Sequence, residues 1–505
     1  MTLEDDLLRQ RREKLAALEA RGIYAYGRRY PRTGPIARAV SALADSGAAE
    51  SSEEHRFAGR LVAYRSHGKS TFIDLRDESG KVQVYFKLDA LGEEAYEVVG
   101  LLDLGDIIGV RGTLFTTRTG EITLRAAEMS VLSKSLRPLP EKWHGLRDQE
   151  IRFRRRYLDL IVNERSREVF CARGAVIASL RSTLASRGFT EVETPLLHPI
   201  AGGAHGRPFV THADTLDMDL YLRIAPELYL KRLLVGGMER VYELGRSFRN
   251  EGLSPRHNTE FTMLEAYAAY CDYTDMMELC EALVCGAAEA VCGSLRVEFG
   301  GTQVDLTPPW RRVTFAEALH QAHGVDVAGG TVEELTAALK AAGVRIEGQA
   351  LSRTRLLNLL AESISPTQPT FITDYPAPLC PLAKTSEADP AVAERFELFV
   401  AGMELANAYS ELNDPLAQLA NFRAQAAGEH GEAEDEVPPE VDTEYVTALE
   451  HGMPPAGGLG VGVDRLVMLL TDTDSIREVI LFPQLRPEAG APDVHPIAEA
   501  DKAEA

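Results

Sequence analysis

Between Val241 and Tyr270 the chain reads VYELGRSFRNEGLSPRHNTEFTMLEAYAAY, two apolar runs on either side of a polar turn. In the second run Phe261, Met263, Glu265 and Tyr267 alternate with Thr262, Leu264, Ala266 and Ala268. Period two is the pattern of a strand whose successive side chains point to opposite faces, so the stretch predicts an antiparallel hairpin with a working loop. Into that loop fall Arg249, Glu251, Arg256 and His257, and onto the exit strand Phe261 and Glu265. Arg suits bidentate phosphate contacts, an aromatic face stacks a base, and a half-buried Glu pairs with a cation. The plain alternative is a solvated hairpin tip carrying charges of both signs.

Upstream, from Arg56 to Leu132, short apolar runs follow at close intervals: RFAGRLVAY, TFIDLR, KVQVYF, DIIGVRGTLF and EITLRAAEMSVL, with a helical segment near 88–101. Five strands with one intervening helix predict a small barrel of the oligonucleotide-binding type. Phe72, Asp74 and Arg76 share one face, as do Lys81, Gln83 and Tyr85 on the next strand, while Ile73, Leu75, Val82, Val84 and Phe86 fill the other. Aromatics on a polar face suit base stacking; the plainer reading is an aromatic that covers a barrel end. Before the barrel, LLRQRREKLAALEARG is helical by spacing, and the chain then breaks at Tyr30-Pro31 into an Ala/Ser-rich linker. Gly68-Lys69-Ser70 imitates the end of a phosphate-binding loop, but Ala63 stands where its first glycine belongs.

Two later stretches carry chemistry of their own. In ERFELFVAGMELANAYSELND (394–414) a two-residue turn at Ala401-Gly402 pairs Phe399 with Glu404, which makes Glu397 and Glu404 diagonal neighbours on one face. Carboxylates that close repel unless a cation lies between them, and Mg2+ accepts one or two carboxylates together with substrate phosphates. An acidic surface hairpin is the alternative. Asn407, Tyr409 and Glu411 also share a face, but at the opposite parity to Glu404, so a bulge near Leu405-Ala406 is needed to bring them all to one pocket. Glu411 and Glu265, oriented by Asn407, Tyr409 and Tyr267, then form a two-carboxylate pocket for a terminal ammonium. In GGLGVGVDRL, Gly458, Gly460 and Gly462 share a strand face, a floor on which a flat nucleotide can lie. Arg465, at the start of the following helix, would cover an adenine opposite Phe261.

The net charge of −22 argues against a polynucleotide partner until it is divided. Residues 1–160 hold 27 Lys and Arg against 24 Asp and Glu, a net of +3, and the remainder holds 27 against 52, a net of −25. The front third is where a phosphate backbone would be tolerated. No run reaches 18 uninterrupted apolar residues and Met1 to Ala20 is charged throughout, so neither a membrane span nor a signal peptide is expected, and the cytoplasm is the default. Six cysteines without a CxxC pair read as core thiols.

FRNEGLSPRHNTEF (248–261) is similar to the second signature motif of the class II aminoacyl-tRNA synthetases, VTALEHGMPPAGGLGVGVDRLVML (446–469) resembles the third, and EVETPLLHPI, a strand followed by Pro195, resembles the first. The chain looks like the lysine-specific branch of that family from roughly Arg56 to Pro487. The resemblance implies an α+β chain: an N-terminal helix and linker over 1–54, an OB-type anticodon-binding barrel over 55–145, and a class II antiparallel-sheet catalytic domain with helices over 146–487. A helical insertion is expected at about 274–365 and a disordered tail over 488–505. The implied activity is ATP-dependent activation of L-lysine to lysyl-adenylate and its transfer to the 3′ end of tRNA(Lys), with Mg2+, in a homodimer.

Carried onto this sequence, the resemblance gives Arg249, Arg256 and Arg465 to catalysis. ATP would be held by the same three arginines with Glu251, His257, Phe261 and Gly462. Lysine would be held by Gly203, Glu227 and Arg249 at its α-carbon end, and by Glu265, Tyr267, Asn407, Tyr409 and Glu411 along its side chain. The metal falls to Glu397 and Glu404, and anticodon bases to Phe72 and Gln83. An aspartate-specific relative should show a cationic residue where this chain has Ser410-Glu411. The family pattern is broken at His205-Gly206, Ala213-Asp214 and Thr259. Two alternatives stay open: a lysine ligase acting on a protein, which should lack the barrel, and a catalytically inactive RNA-binding or regulatory relative, which should have lost Arg249, Arg465 or the Glu pair.

Overall fold

The computed structural model describes residues 3–140, 146, 148–204, 206–344, 351–427 and 441–486. The expected tail over 488–505 and His205 therefore lie outside the described residues. The chain divides into two compact units, Met1–Arg147 and Asp148–Ala505.

In the first unit five strands close a barrel. Glu50–His67 pairs with Ser70–Arg76 on one side and Ile107–Thr116 on the other; Ser70–Arg76 leads to Lys81–Lys87, which runs parallel to Ile122–Ser133, and that strand closes on Ile107–Thr116. Closure removes the sheet edges. Ile73, Leu75, Val82, Val84 and Phe86 are buried inside, and the register Phe72 to Tyr85 and Asp74 to Gln83 sets the polar rows side by side outside. The stretch read as a linker instead forms a second helix, Ile36–Ser46, ended by Gly47 at a φ of 63°. Ile36 and Leu43, two turns apart, join Leu18 of the helix Leu3–Ala20 against the barrel core. Helical spacing of a few apolar residues outweighed Ala/Ser content there.

The second unit is built on an eight-stranded sheet. From one edge to the other its strands are Arg311–Thr314, Thr370–Pro376, Val392–Val400, Met403–Ser410, Ala456–Gly462, Glu260–Ala269, Arg240–Phe248 and Thr190–Glu191. The interior pairings are antiparallel and the two edge pairings parallel. Alternation holds along the central strands apart from a bulge in Met403–Ser410. Leu264, Ala266, Ala268, Leu459, Val461 and Ala408 face a core shared with the helices Glu164–Ser186, Tyr273–Cys292 and Val463–Leu470. The opposite face is left to polar side chains.

The helix Glu164–Ser186 follows a short helix Arg156–Val162 whose Arg156 is buried and donates to Asp159 at 2.6 Å. One expectation changes here. The helix Tyr273–Cys292, read as the start of an insertion, packs its Met276, Cys280, Leu283 and Ala287 into the main core. Its apolar stripe faces the sheet, whereas Phe315–His323, Val332–Ala341 and Arg353–Glu362 gather around a separate cluster.

Candidate active site

The polar face is organised by the glycine strand. Tyr267, Gly458 and Tyr409 stand abreast across three strands, as do Glu265, Gly460 and Asn407 one step along, with Met263 beside Gly462 beyond. A strand without side chains therefore runs between the two rows that the sequence marked out, and its bare face is shared. At Gly458 a Cβ would stand 2.6 Å from Tyr267 Cε1 and overlap the Glu411 carboxylate. At Gly462 the nearest side chain is Arg465, 3.8 Å away, so only that end lies open as a nucleotide floor.

The bulge demanded by parity is present. Phe399 pairs with Glu404 and Leu398 with Ala406, which leaves Leu405 as the extra residue. Leu405 and Ala406 both enter the core, and the parity of Asn407, Tyr409 and Glu411 is restored to the site face. The turn itself has Ala401 and Gly402 at φ values of 50° and 70°, the pairing of a tight hairpin.

Three buried carboxylates converge at one end of the floor, Glu227, Glu265 and Glu411, at 5%, 6% and 1% exposure. Glu227 opens the helix Glu227–Val235 and accepts the Tyr409 hydroxyl at 2.6 Å. Glu265 accepts the Tyr267 hydroxyl at 3.0 Å. One oxygen of Glu411 is ion-paired with Lys231, and Oε1 is buried without a hydrogen-bond partner among the described residues. An orphaned carboxylate oxygen inside a protein is costly, and a pocket that keeps one is shaped for a cation. Gly203, at a φ of 89°, lies against Ala225 just before this helix.

Burial, reinforced by Glu227, pushes the Glu265 carboxyl up to about 8 against the pull of the Tyr267 hydroxyl. Burial also raises Glu411 well above the ordinary carboxylate range, with Lys231 opposing. At neutral pH Glu265 therefore keeps most of its proton, which an incoming ammonium must displace. Cation binding at pH 7 is expected to release about one proton, and the apparent affinity to rise as the pH climbs towards 8. Calorimetry in buffers of different ionisation enthalpy measures the release, and a heat independent of buffer would contradict it.

At the other end stand the arginines. Arg249 leaves the entry strand with its amide donating to the Thr259 carbonyl at 2.9 Å; its guanidinium lies 5.3 Å from the Phe261 ring centroid, and its Nε is buried without a partner among the described residues. Arg249 thus lies over Phe261. Arg465 instead donates to the Glu404 carbonyl at 2.7 Å and to its carboxylate at 3.1 Å, and meets His257 Nε2 at 3.2 Å. Burial and Arg465 hold the His257 imidazole below its ordinary value; because Arg465 can only donate, Nε2 accepts from it and Nδ1 is left to donate to Ser254 Oγ at 2.8 Å. Arg256 reaches the carbonyl of Gly402 at 2.6 Å, which ties the loop to the tip of the carboxylate hairpin. Gly206, at a φ of 149°, backs onto Glu251 and Arg249.

Glu397 and Glu404 face each other beside this cluster. Glu397 accepts from Arg395 at 2.6 Å and from the Tyr375 hydroxyl at 2.8 Å; burial pushes its carboxyl up, Arg395 opposes, and Glu404 adds to the rise. Carboxylates that disturb each other in this way suit a divalent cation whose remaining ligands come from phosphates and water.

Sequence reasoning missed several partners. Arg395 orients both Glu397 and Asn407, whose Oδ1 accepts from its Nε at 3.1 Å, and alternation along its strand could have revealed it. Asp464 holds the exit strand by accepting the Thr262 amide at 2.7 Å, itself gripped by Arg173 at 2.6 Å. Lys231, four residues past Glu227, was visible as a helical pair. In the barrel unit, Phe72 stacks on Tyr85 at 4.7 Å, and Gln83 accepts from Thr123 at 3.0 Å along a groove that also includes Arg65 and Thr117 to Thr119.

Comparison with known proteins matches the model of class II tRNA synthetases (D, K and N) to residues 148–486, and that of OB-fold nucleic acid binding domains to residues 55–132. The chain is 50% identical over 488 residues to a lysine–tRNA ligase of Pelotomaculum thermopropionicum, covering 96% of this chain and 95% of that one. It is 51% identical over 491 residues to one of Moorella thermoacetica, covering 96% and 99%. A Carboxydothermus hydrogenoformans lysine–tRNA ligase is 50% identical over 487 residues, covering 96% and 98%.

Proposed function

The chain belongs to the class II tRNA synthetases of the lysine–tRNA ligase family, and from that premise we propose which residues carry the two steps, activation of L-lysine by ATP and its transfer to tRNA(Lys). The observation that carries the substrate assignment is the trio Glu227, Glu265 and Glu411 with the orphaned Glu411 Oε1. Glu227 takes the α-ammonium, Glu411 and Glu265 take the ε-ammonium, and Asn407, Tyr409 and Tyr267 orient them, with Gly203 giving the backbone room.

Arg249, which lies above Phe261 with its Nε unpartnered among the described residues, takes the lysine carboxylate and the α-phosphate together. The lysine carboxylate oxygen attacks the α-phosphorus and pyrophosphate leaves. In transfer, a ribose hydroxyl at the tRNA end attacks the lysyl carbonyl and AMP leaves. No protein nucleophile is needed, so catalysis is positioning plus neutralisation of phosphate charge. Arg256 reaches the γ-phosphate, Arg465 and Phe261 bracket the adenine above Gly462, and Glu251 and neutral His257 line the loop. Glu397 and Glu404 would hold Mg2+, which supplies further charge neutralisation at the phosphates when bound.

In the barrel, Phe72 stacks an anticodon base and Gln83 hydrogen-bonds one. A homodimer is supported by apolar side chains left exposed within the first motif, Leu196 and Leu197, and on the neighbouring strands, Val210 and Met218. None of the described helices is long and apolar enough to cross a membrane, and a supplier of charged tRNA works in the cytoplasm.

The test is amino-acid-dependent exchange of labelled pyrophosphate into ATP without tRNA, which should occur with lysine among the twenty amino acids; exchange with aspartate instead would overturn the pocket assignment. Phe72→Ala should leave that exchange unchanged and raise the KM for tRNA(Lys) in aminoacylation about tenfold or more, the loss of one stacked base.

A further inference from the structure

One buried ammonium remains without a task. Lys231 lies one turn past Glu227 on the helix Glu227–Val235, and its side chain is fully buried. Its Nζ donates to Glu227 Oε1 at 2.6 Å, pairs with Glu411, and lies 5.4 Å from the centroid of the Tyr409 ring. The neighbours Leu228, Leu230 and Leu234 on the same helix belong to an apolar cluster with Tyr267 and Tyr445, where a leucine or methionine would pack at less cost than a charge. The chain nevertheless sets a cation between the two carboxylates assigned to opposite ends of the substrate.

The charges close when they are counted. Three ionised carboxylates less one lysine leave two negative charges, and a single lysine molecule brings two ammonium groups, its own carboxylate going to Arg249. An amino acid with one ammonium would leave one buried carboxylate without a cation, holding its proton instead. Resting on the lysine reading above, we propose that Lys231 is a positioning and specificity-determining residue: it holds one oxygen each of Glu227 and Glu411, fixes both groups, and sets the pocket's charge to that of one diammonium substrate. With Glu411 Oε2 taken by Lys231, Oε1 alone faces the incoming ammonium.

The groups facing this cluster are Glu227 on the same helix, Glu265 and Tyr267 on the exit strand, Tyr409 and Glu411 beyond the bulge, and Tyr445 on the helix Thr443–Glu450. Arg223 and Arg249 act on it from beyond Glu265. Removing Lys231 leaves one negative charge too many, and the bound complex must then take up a proton.

The experiment is lysine-dependent pyrophosphate exchange by the full-length Lys231→Ala protein across a range of pH, with and without ethylammonium. The lysine KM should rise at least about 30-fold, the loss of one partner from a buried charge pair, with the ATP KM held within about twofold. The gap from wild type should narrow as the pH falls and a proton replaces the lost ammonium. Ethylammonium should restore the lysine KM, and ethanol of similar size should not. A fall in kcat alone at unchanged lysine KM, or equal rescue by ethanol, would reduce Lys231 to a space-filling residue.

Should the alanine variant fail to fold, Lys231→Gln keeps hydrogen-bond donors without the charge. The same rise in KM is expected, and a wild-type KM overturns the proposal. Wild-type protein without lysine-dependent exchange would instead overturn the lysine reading itself.

Discussion

Glu411→Gln is expected to raise the KM for lysine by about two to three orders of magnitude, the consequence of truncating one partner of a fully desolvated charge pair. The substitution preserves shape and removes only the charge, and Glu411 is 1% exposed, so water cannot stand in for it. The KM for ATP should stay within about threefold, because the arginine end of the floor is separated from Glu411 by the length of the glycine strand. The variant should fold less stably than the wild type, since the buried Lys231 loses one of its two carboxylate partners. Pyrophosphate exchange titrated separately in lysine and ATP, beside a melting curve, measures all three. Equal loss of affinity for both substrates would sink the ε-ammonium assignment.

Arg249→Ala should reduce kcat/KM for exchange by about a thousandfold, the scale of losing a preorganised donor to developing charge. Its effect should fall on both substrates, because the same guanidinium is assigned to the lysine carboxylate and the α-phosphate. Arg249→Lys should recover little of the loss: an ammonium keeps the charge but cannot offer two parallel donors. The fold should be indifferent, as the buried Nε already lacks a partner among the described residues. A rate within tenfold of wild type would remove Arg249 from the reaction centre.

Where side chains alternate, the sequence was a sufficient guide. The faces of Glu260–Ala269 and Ala456–Gly462 could be assigned residue by residue, and the conflict of parity between Glu404 and Asn407 forced the bulge before any coordinate did. The five barrel strands were legible for the same reason. What escaped was pairing between distant segments. A lysine four residues after a glutamate on a helix looks like a solvated ion pair, and nothing local says that Lys231 meets Glu411, 180 residues later in the chain. Nor does spacing show that the Arg249 guanidinium lies over Phe261. The helix Ile36–Ser46 was hidden because its apolar stripe is only a few residues long and sits in Ala/Ser-rich surroundings.

The extra residue at Leu405 also divides the carboxylate hairpin into two independently framed halves. Glu404 is set by the two-residue turn that precedes it, while Asn407 and Tyr409 take their frame from the single uncounted step that follows. Pairing Leu405 with Leu398 instead of skipping it would act on the strand as a frameshift acts on a message. Everything up to Glu404 would be read as before, and beyond it the two alanines, Ala406 and Ala408, would turn outward while Asn407 and Tyr409 were driven into the core.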